Sequence, residues 1–475
     1  MSIAATLPIP LPRAAPAPLR AHRDFAPRAV LARLALGTLF FWSYVASYVA
    51  LLPDIYENWG LGQNIAALSP ITFGLWLLAI VPAVFLRPTL RHTSDFFIYI
   101  QYFLIYVPSL WVAYNSSRPV LTTADSTLIV VTLFLSMMLL VLLQRIRRAR
   151  PHVELQAAPG RVRALIVVSV LMFLVIGSAL KWHLNLVGFD AIYELRNDAG
   201  DTLAEGGSFG VGYLFPWLNG ALLPVLVCIG VYRKDKVLVL GSTLIYVLLY
   251  GLWGSKASLL AAPAIIVVNW LCRRFEGRHL AAFTLFFSFL LLLPLTFAFS
   301  GSETAEMVTP WYAYVVHQRT FSSSALLIPQ YLEFFSKNPH TYGSHISGLS
   351  MVLHYPFKME VARMVGQFQY GTAITANANY WAQDGIAAFG LAGVPLASVV
   401  AALLFKAVDY RLRRLPVAFC VACMTFMASN LIDTSIFTTL ISGGMLLIIV
   451  ILPLLFKSRR KPAAIAPAAV AAPGA

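Results

Sequence analysis

Gly301–Gly348 reads GSETAEMVTPWYAYVVHQRTFSSSALLIPQYLEFFSKNPHTYGSHISG, and Met364–Pro395 reads MVGQFQYGTAITANANYWAQDGIAAFGLAGVP. From about residue 300 to about residue 395 this is the one long polar interval between apolar segments. Its polar groups are interleaved with Trp311, Tyr312, Tyr314, Tyr331, Phe334, Phe335, Tyr342, Phe368, Tyr370, Tyr380 and Trp381. A disordered linker is poor in aromatics. The stretch is therefore expected to be a folded loop domain against a membrane, with amphipathic helices around residues 322–336 and 356–368.

The flanking sequence supplies the membrane. Hydrophobic residues make up 59% of the 475 and charged residues 12%, with a mean hydropathy of +0.75. Those values exclude an ordinary soluble domain. Apolar runs long enough to cross about 30 Å of hydrocarbon centre near residues 44, 77, 105, 135, 173, 222, 245, 265, 290, 396, 425 and 446. The expected fold class is an all-α polytopic membrane protein with about twelve transmembrane helices. The long outer loop then falls between spans nine and ten.

A net charge of +15 could suggest nucleic acid, but the cations are sorted by side. With the amino terminus inside, 27 of the 35 Lys and Arg residues fall in cytoplasmic segments, among them Arg87 and Arg91, Arg145 to Arg163, Arg273 to Arg278 and Lys406 to Arg414. This is the positive-inside pattern, so no nucleic-acid partner is expected. The other eight are Arg118, Lys181, Arg196, Lys256, Arg319, Lys337, Lys358 and Arg363. Orientation does not explain them.

The expected organisation is a disordered cytoplasmic tail over 1–30, a transmembrane domain over 31–456 with outer loops at 182–212 and 300–385, and a low-complexity cytoplasmic tail over 457–475. The four cysteines lie in or beside apolar spans, and Cys420 and Cys423 read as small apolar side chains rather than a redox pair. Spans seven and eight are divided only by GLWGSKASLL. Lys256 there is either a snorkelling helix-end lysine or a cation beside backbone N–H groups that favour an anion.

No Walker loop, dinucleotide fingerprint, HExxH or paired acidic metal motif occurs, and the spans carry few acidic residues at mid-depth, unlike a proton-coupled pump. No cofactor and no metal are expected. What remains is a set of outward cations, Arg196, Lys256, Arg319 and Arg363, beside dense aromatics. Arginine forks match phosphate oxygens. Tyr and Trp offer flat faces to sugar rings, or anchors at an interface.

Tyr193-Glu194-Leu195-Arg196, Gly254-Ser255-Lys256, Arg319 followed by Tyr331 and Asn338-Pro339, and Asn377-Ala378-Asn379-Tyr380-Trp381 leading into Phe389-Gly390-Leu391-Ala392-Gly393 together resemble the Wzy-type oligosaccharide repeat unit polymerases of O-antigen and exopolysaccharide synthesis. The resemblance covers about residues 30 to 456. That family is associated with two outer loops carrying an Arg, ten residues, then a Gly. Arg196 and Gly207 have this spacing, whereas the corresponding positions after Arg319 and Arg363 are Gln330 and Ile374, so the second loop departs from the pattern.

The resemblance implies a metal-independent glycosyltransferase of the membrane-embedded C type in the bacterial inner membrane. Both termini would be cytoplasmic and the active site would face the periplasm. The substrate would be an undecaprenyl-diphosphate-linked oligosaccharide. Membrane lipid, a chain-length regulator and a flippase of the same pathway would be partners. On this reading Arg196, Lys256, Arg319 and Arg363 bind the diphosphate. His317, Asp384 and Glu333 are the acid–base candidates, and Tyr193, Asn377, Asn379, Tyr380 and Trp381 contact sugar. Asn379 with Tyr380 and Trp381 reads equally as a helix cap followed by interfacial anchors. Two alternatives have different signatures. An O-antigen ligase, passing glycan to a lipid A core, carries a histidine near the asparagine of the last loop helix, where this chain has Ala378 and Tyr380. A lipid-linked oligosaccharide flippase needs a cationic cavity inside the bundle.

Overall fold

The structure, a computed structural model, describes residues 25–146, 155–188, 195, 198–199, 202, 210–298, 303–346, 349–372 and 374–458. Tyr193, Arg196 and most of both expected tails lie outside them. Among the described residues ten helices are long and apolar enough to cross a membrane, so the chain is a multi-pass helical membrane protein. The other two expected crossings take different forms. Pro70–Phe85 is an apolar helix of 16 residues, and the run near residue 425 is broken at Met424 into Val417–Cys423 and Thr425–Asp433.

Contacts between distant segments sort the helix ends into two faces. On one, Arg145 donates to the Phe85 carbonyl at 2.8 Å, the Leu90 amide bonds His279 Nδ1 at 3.1 Å, and Asp409 accepts from the Ser94 amide at 3.0 Å. A two-stranded antiparallel pairing of Leu155–Ala157 with Phe456–Ser458 joins the same face. The basic segments 87–91, 273–278 and 411–414 meet here. On the opposite face, the Gly62 amide bonds the Asn115 carbonyl and the Asn185 amide bonds that of Gly251, both at 2.9 Å. Trp217 Nε1 reaches the Ile441 carbonyl at 2.9 Å.

Thr93–Asn115 is the central helix, buried along its whole apolar window. Its phenols cannot be left unpaired in an apolar interior. Tyr102 donates to the Ala79 carbonyl at 3.0 Å and Tyr106 to that of Leu78 at 2.8 Å. Its middle, Gln101–Tyr106, is π-helical just before Pro108, as expected where a ring without an N–H interrupts the i→i−4 ladder.

The interval 300–385 differs from a loop resting on a surface. It begins with consecutive helical pieces, Glu303–Tyr312, a π-helical Ala313–Ser322, and Ser323–Lys337. Phe321 is fully buried against Phe40 and Phe287, and Tyr44 bonds Ser322 at 3.0 Å. The sequence near residue 321 is thus inserted between the first and ninth apolar helices. The two expected amphipathic helices occur as Ser323–Lys337 and Val361–Tyr370.

Candidate functional site

Lys236–Trp253 ends where Gly254 adopts a left-handed conformation, φ 66°, and its amide bonds back to the Tyr250 carbonyl at 2.8 Å. Glycine takes that conformation without steric cost. Ser255 follows in extended geometry and Lys256 opens the next helix, Lys256–Arg274. This tight reversal puts a lysine at the mouth of two crossing helices.

From the inserted π-helical piece, Tyr314 and Arg319 approach the same place. Lys256 Nζ lies 5.3 Å from the Tyr314 ring centroid, and Arg319 Cζ lies 5.9 Å from it. Each is within the range of a cation–π contact. Asp433, last residue of Thr425–Asp433, is within electrostatic reach of Arg319. Arg319 and Asp433 are exposed, whereas Lys256 and Tyr314 are half-buried. The Lys256 ammonium is buried, so the group pairs one covered and one exposed cation on a single aromatic ring, with a carboxylate within electrostatic reach of Arg319.

Of the four expected diphosphate ligands, Lys256 and Arg319 each approach the Tyr314 ring. Arg363 is exposed on Val361–Tyr370, and among the described residues no hydrogen bond, ion pair or ring contact joins it to that pair. Arg196 and Tyr193 lie outside the described residues. Tyr314 and Asp433 belong to the group without having been singled out as ligands. Their signal in the sequence is only that Tyr314 lies five residues before Arg319 and that Asp433 is a lone carboxylate near a helix end.

The three acid–base candidates are engaged by the fold. His317 is fully buried, with Nε2 2.6 Å from Ser47 Oγ and 3.1 Å from the Leu291 carbonyl. A carbonyl only accepts, so the proton is on Nε2, and the outward reach expected of a base for an acceptor hydroxyl is absent. Asp384 accepts from Ser435 Oγ at 2.6 Å and from the Ile436 amide at 2.7 Å, with His345 Nε2 3.5 Å away. It anchors the turn into Ile436–Leu440. Glu333 pairs with Lys337 at 2.8 Å and accepts from Gln369 at 2.8 Å, pinning Ser323–Lys337 to Val361–Tyr370.

The expected sugar contacts divide similarly. Asn377 is exposed. Asn379 is buried and acts as the cap: its Oδ1 accepts from the Trp381 and Ala382 amides at 3.0 and 3.4 Å, and its Nδ2 donates to the Ser324 carbonyl at 3.0 Å. Trp381 is buried, with Nε1 on Ser398 Oγ at 2.8 Å, and Tyr380 is buried beside it. In this conformation Asn379, Tyr380 and Trp381 present no face to a sugar; burial makes them part of the packing that holds the last loop helix. Among the described residues no group of three or more His, Cys, Asp or Glu side chains could hold a metal ion.

Compared with known proteins, the chain matches no family model, no curated protein and no solved structure.

Proposed function

We propose that the protein is a GT-C-like glycosyltransferase that polymerises undecaprenyl-diphosphate-linked repeat units for a surface polysaccharide. It crosses the bacterial inner membrane twelve times, with both termini cytoplasmic and the Lys256–Tyr314–Arg319 group at the periplasmic side. The bond from the anomeric carbon to the carrier diphosphate breaks and a bond to the acceptor hydroxyl oxygen forms. The hydroxyl proton passes to water or to the departing diphosphate, which leaves with the electron pair of the broken C–O bond. Stabilising that leaving group is the principal electrostatic demand. A charge pair at about 4 Å near a protein surface interacts by roughly 4 kcal/mol before desolvation.

The observation that carries this reading is the convergence of Lys256 and Arg319 on Tyr314. Asp433, on the surface and within electrostatic reach of Arg319, is the candidate to orient an acceptor hydroxyl in place of His317, Asp384 or Glu333. The test is deletion of the gene and gel analysis of the surface polysaccharide, with complementation by wild type, Lys256→Ala and Arg319→Ala at matched expression. The expected result is loss of the long ladder with single repeat units retained, restored by wild type and by neither variant. Polymer accumulating on the lipid carrier while its acceptor stays bare would instead indicate a ligase.

A further inference from the structure

From Pro339 to Phe357 the chain has no Asp, Glu, Lys or Arg, and Lys358 follows directly. The large apolar side chains in this run are not all turned inward. Met351 is 89% and Val352 84% exposed, and Leu349, Leu353 and Tyr342 are exposed as well. The short helix Leu349–Met351 and the bond from the Leu353 amide to the Leu349 carbonyl at 2.8 Å hold four of them on one compact turn. An uncharged, contiguous apolar surface of this kind marks an interaction site.

Its surroundings identify the occupant. A Cβ on Gly343 would lie 3.8 Å from Leu349 Cδ1, so the turn abuts the Tyr342–Gly343 corner. The Tyr342 ring in turn lies 6.0 Å from that of Phe389. Phe389 lies just before the crossing helix Gly393–Leu412, across a break at Gly390, and Leu396, Leu403 and Tyr410 form an exposed line along that helix. Residues spaced by seven share one helix face, and an exposed apolar face on a crossing helix meets lipid. The patch lies next to the start of that helix, where aromatics such as Tyr342 and Phe389 favour the headgroup level.

We infer that the turn Leu349–Leu353 seats in the bilayer leaflet beside the start of the crossing helix Gly393–Leu412, as a membrane-inserting element of the loop domain. Lys358, exposed next to it, is suited to anionic headgroups. Seating of this turn in lipid does not depend on which reaction the bundle carries out.

Cys228, Cys272, Cys420 and Cys423 are all buried, so a thiol-reactive fluorophore reports on an introduced cysteine. The full-length protein carrying Met351→Cys or Val352→Cys is labelled in phosphatidylcholine–phosphatidylglycerol liposomes. Leu396→Cys serves as lipid reference and Gln367→Cys, an exposed position on Val361–Tyr370, as aqueous reference. The expected result is that labels at 351 and 352 lose most of their emission to bromine-labelled acyl chains and little to iodide, as at 396. Quenching by iodide to the extent seen at 367 overturns the inference. Protection from both quenchers also overturns it, assigning the patch to a protein contact such as a second copy of this chain.

Discussion

Lys256 Nζ and Arg319 Cζ stand 5.3 and 5.9 Å from one ring, that of Tyr314, although they come from different helices. Two like charges thus share one aromatic wall, and the Asp433 carboxylate lies within electrostatic reach of Arg319. The arrangement suits a doubly charged leaving group.

Arg319→Ala and Lys256→Ala are each expected to slow transfer by roughly 10- to 100-fold, since a hydrogen bond to a charged group is worth about 1.5–3 kcal/mol. Arg319→Lys keeps the charge without the planar fork and is expected to be intermediate. Tyr314→Leu removes a contact worth about 0.5–2 kcal/mol and lowers the rate less. Turnover of a lipid-linked repeat unit by purified protein measures all four. Unchanged rates at equal folded protein would remove the pair from the chemistry.

Two glycines are expected to tolerate no side chain. A Cβ on Gly366 would lie 1.7 Å from the Ile374 carbonyl oxygen, and one on Gly393 would lie 2.1 Å from that of Gly385. Both obstacles are backbone, so relief requires moving a segment. Gly366→Ala and Gly393→Ala are each expected to cost about 1–3 kcal/mol or more and to lower the thermal midpoint in detergent. Gly74, with nothing within 4 Å of its would-be Cβ, is the control.

Asn379 acts through the fold. Asn379→Ala loses a helix cap worth about 1 kcal/mol and the buried Nδ2 bonds to the Ser324 carbonyl and hydroxyl, each worth about 0.5–1.5 kcal/mol. The thermal midpoint should fall while KM per folded molecule stays constant. A raised KM at unchanged stability would restore Asn379 to sugar contact.

His317 is expected to matter for packing rather than proton transfer. His317→Ala should destabilise by about 1–3 kcal/mol through loss of its bond to Ser47. His317→Asn, measured per folded molecule between about pH 5 and 8, where an imidazole base titrates, should keep the wild-type profile. Loss of the acidic limb in that variant alone would contradict this.

Among the polar residues of 300–395, the sequence carries little sign of which ones the fold consumes. His317, Asp384 and Asn379 have the chemistry of a site and lie within a polar stretch. Their roles depend on Ser47, Ser435 and Ser324, partners remote in the chain that no local pattern announces. Lys256 and Arg319 were identifiable as cations that orientation does not explain, yet their convergence depends on Tyr314, the ring that both approach.

The sequence by itself determined that this chain is a helical bundle in a membrane, and where most crossings fall. A helix in hydrocarbon must be apolar along its length and sheds its charges to its ends, a rule that acts residue by residue. Only the tertiary structure decided that the stretch around residue 321 turns inward between Phe40 and Phe287, carrying Arg319 towards Lys256 and burying His317. Packing between distant helices depends on shape in three dimensions, which hydropathy along a chain does not encode.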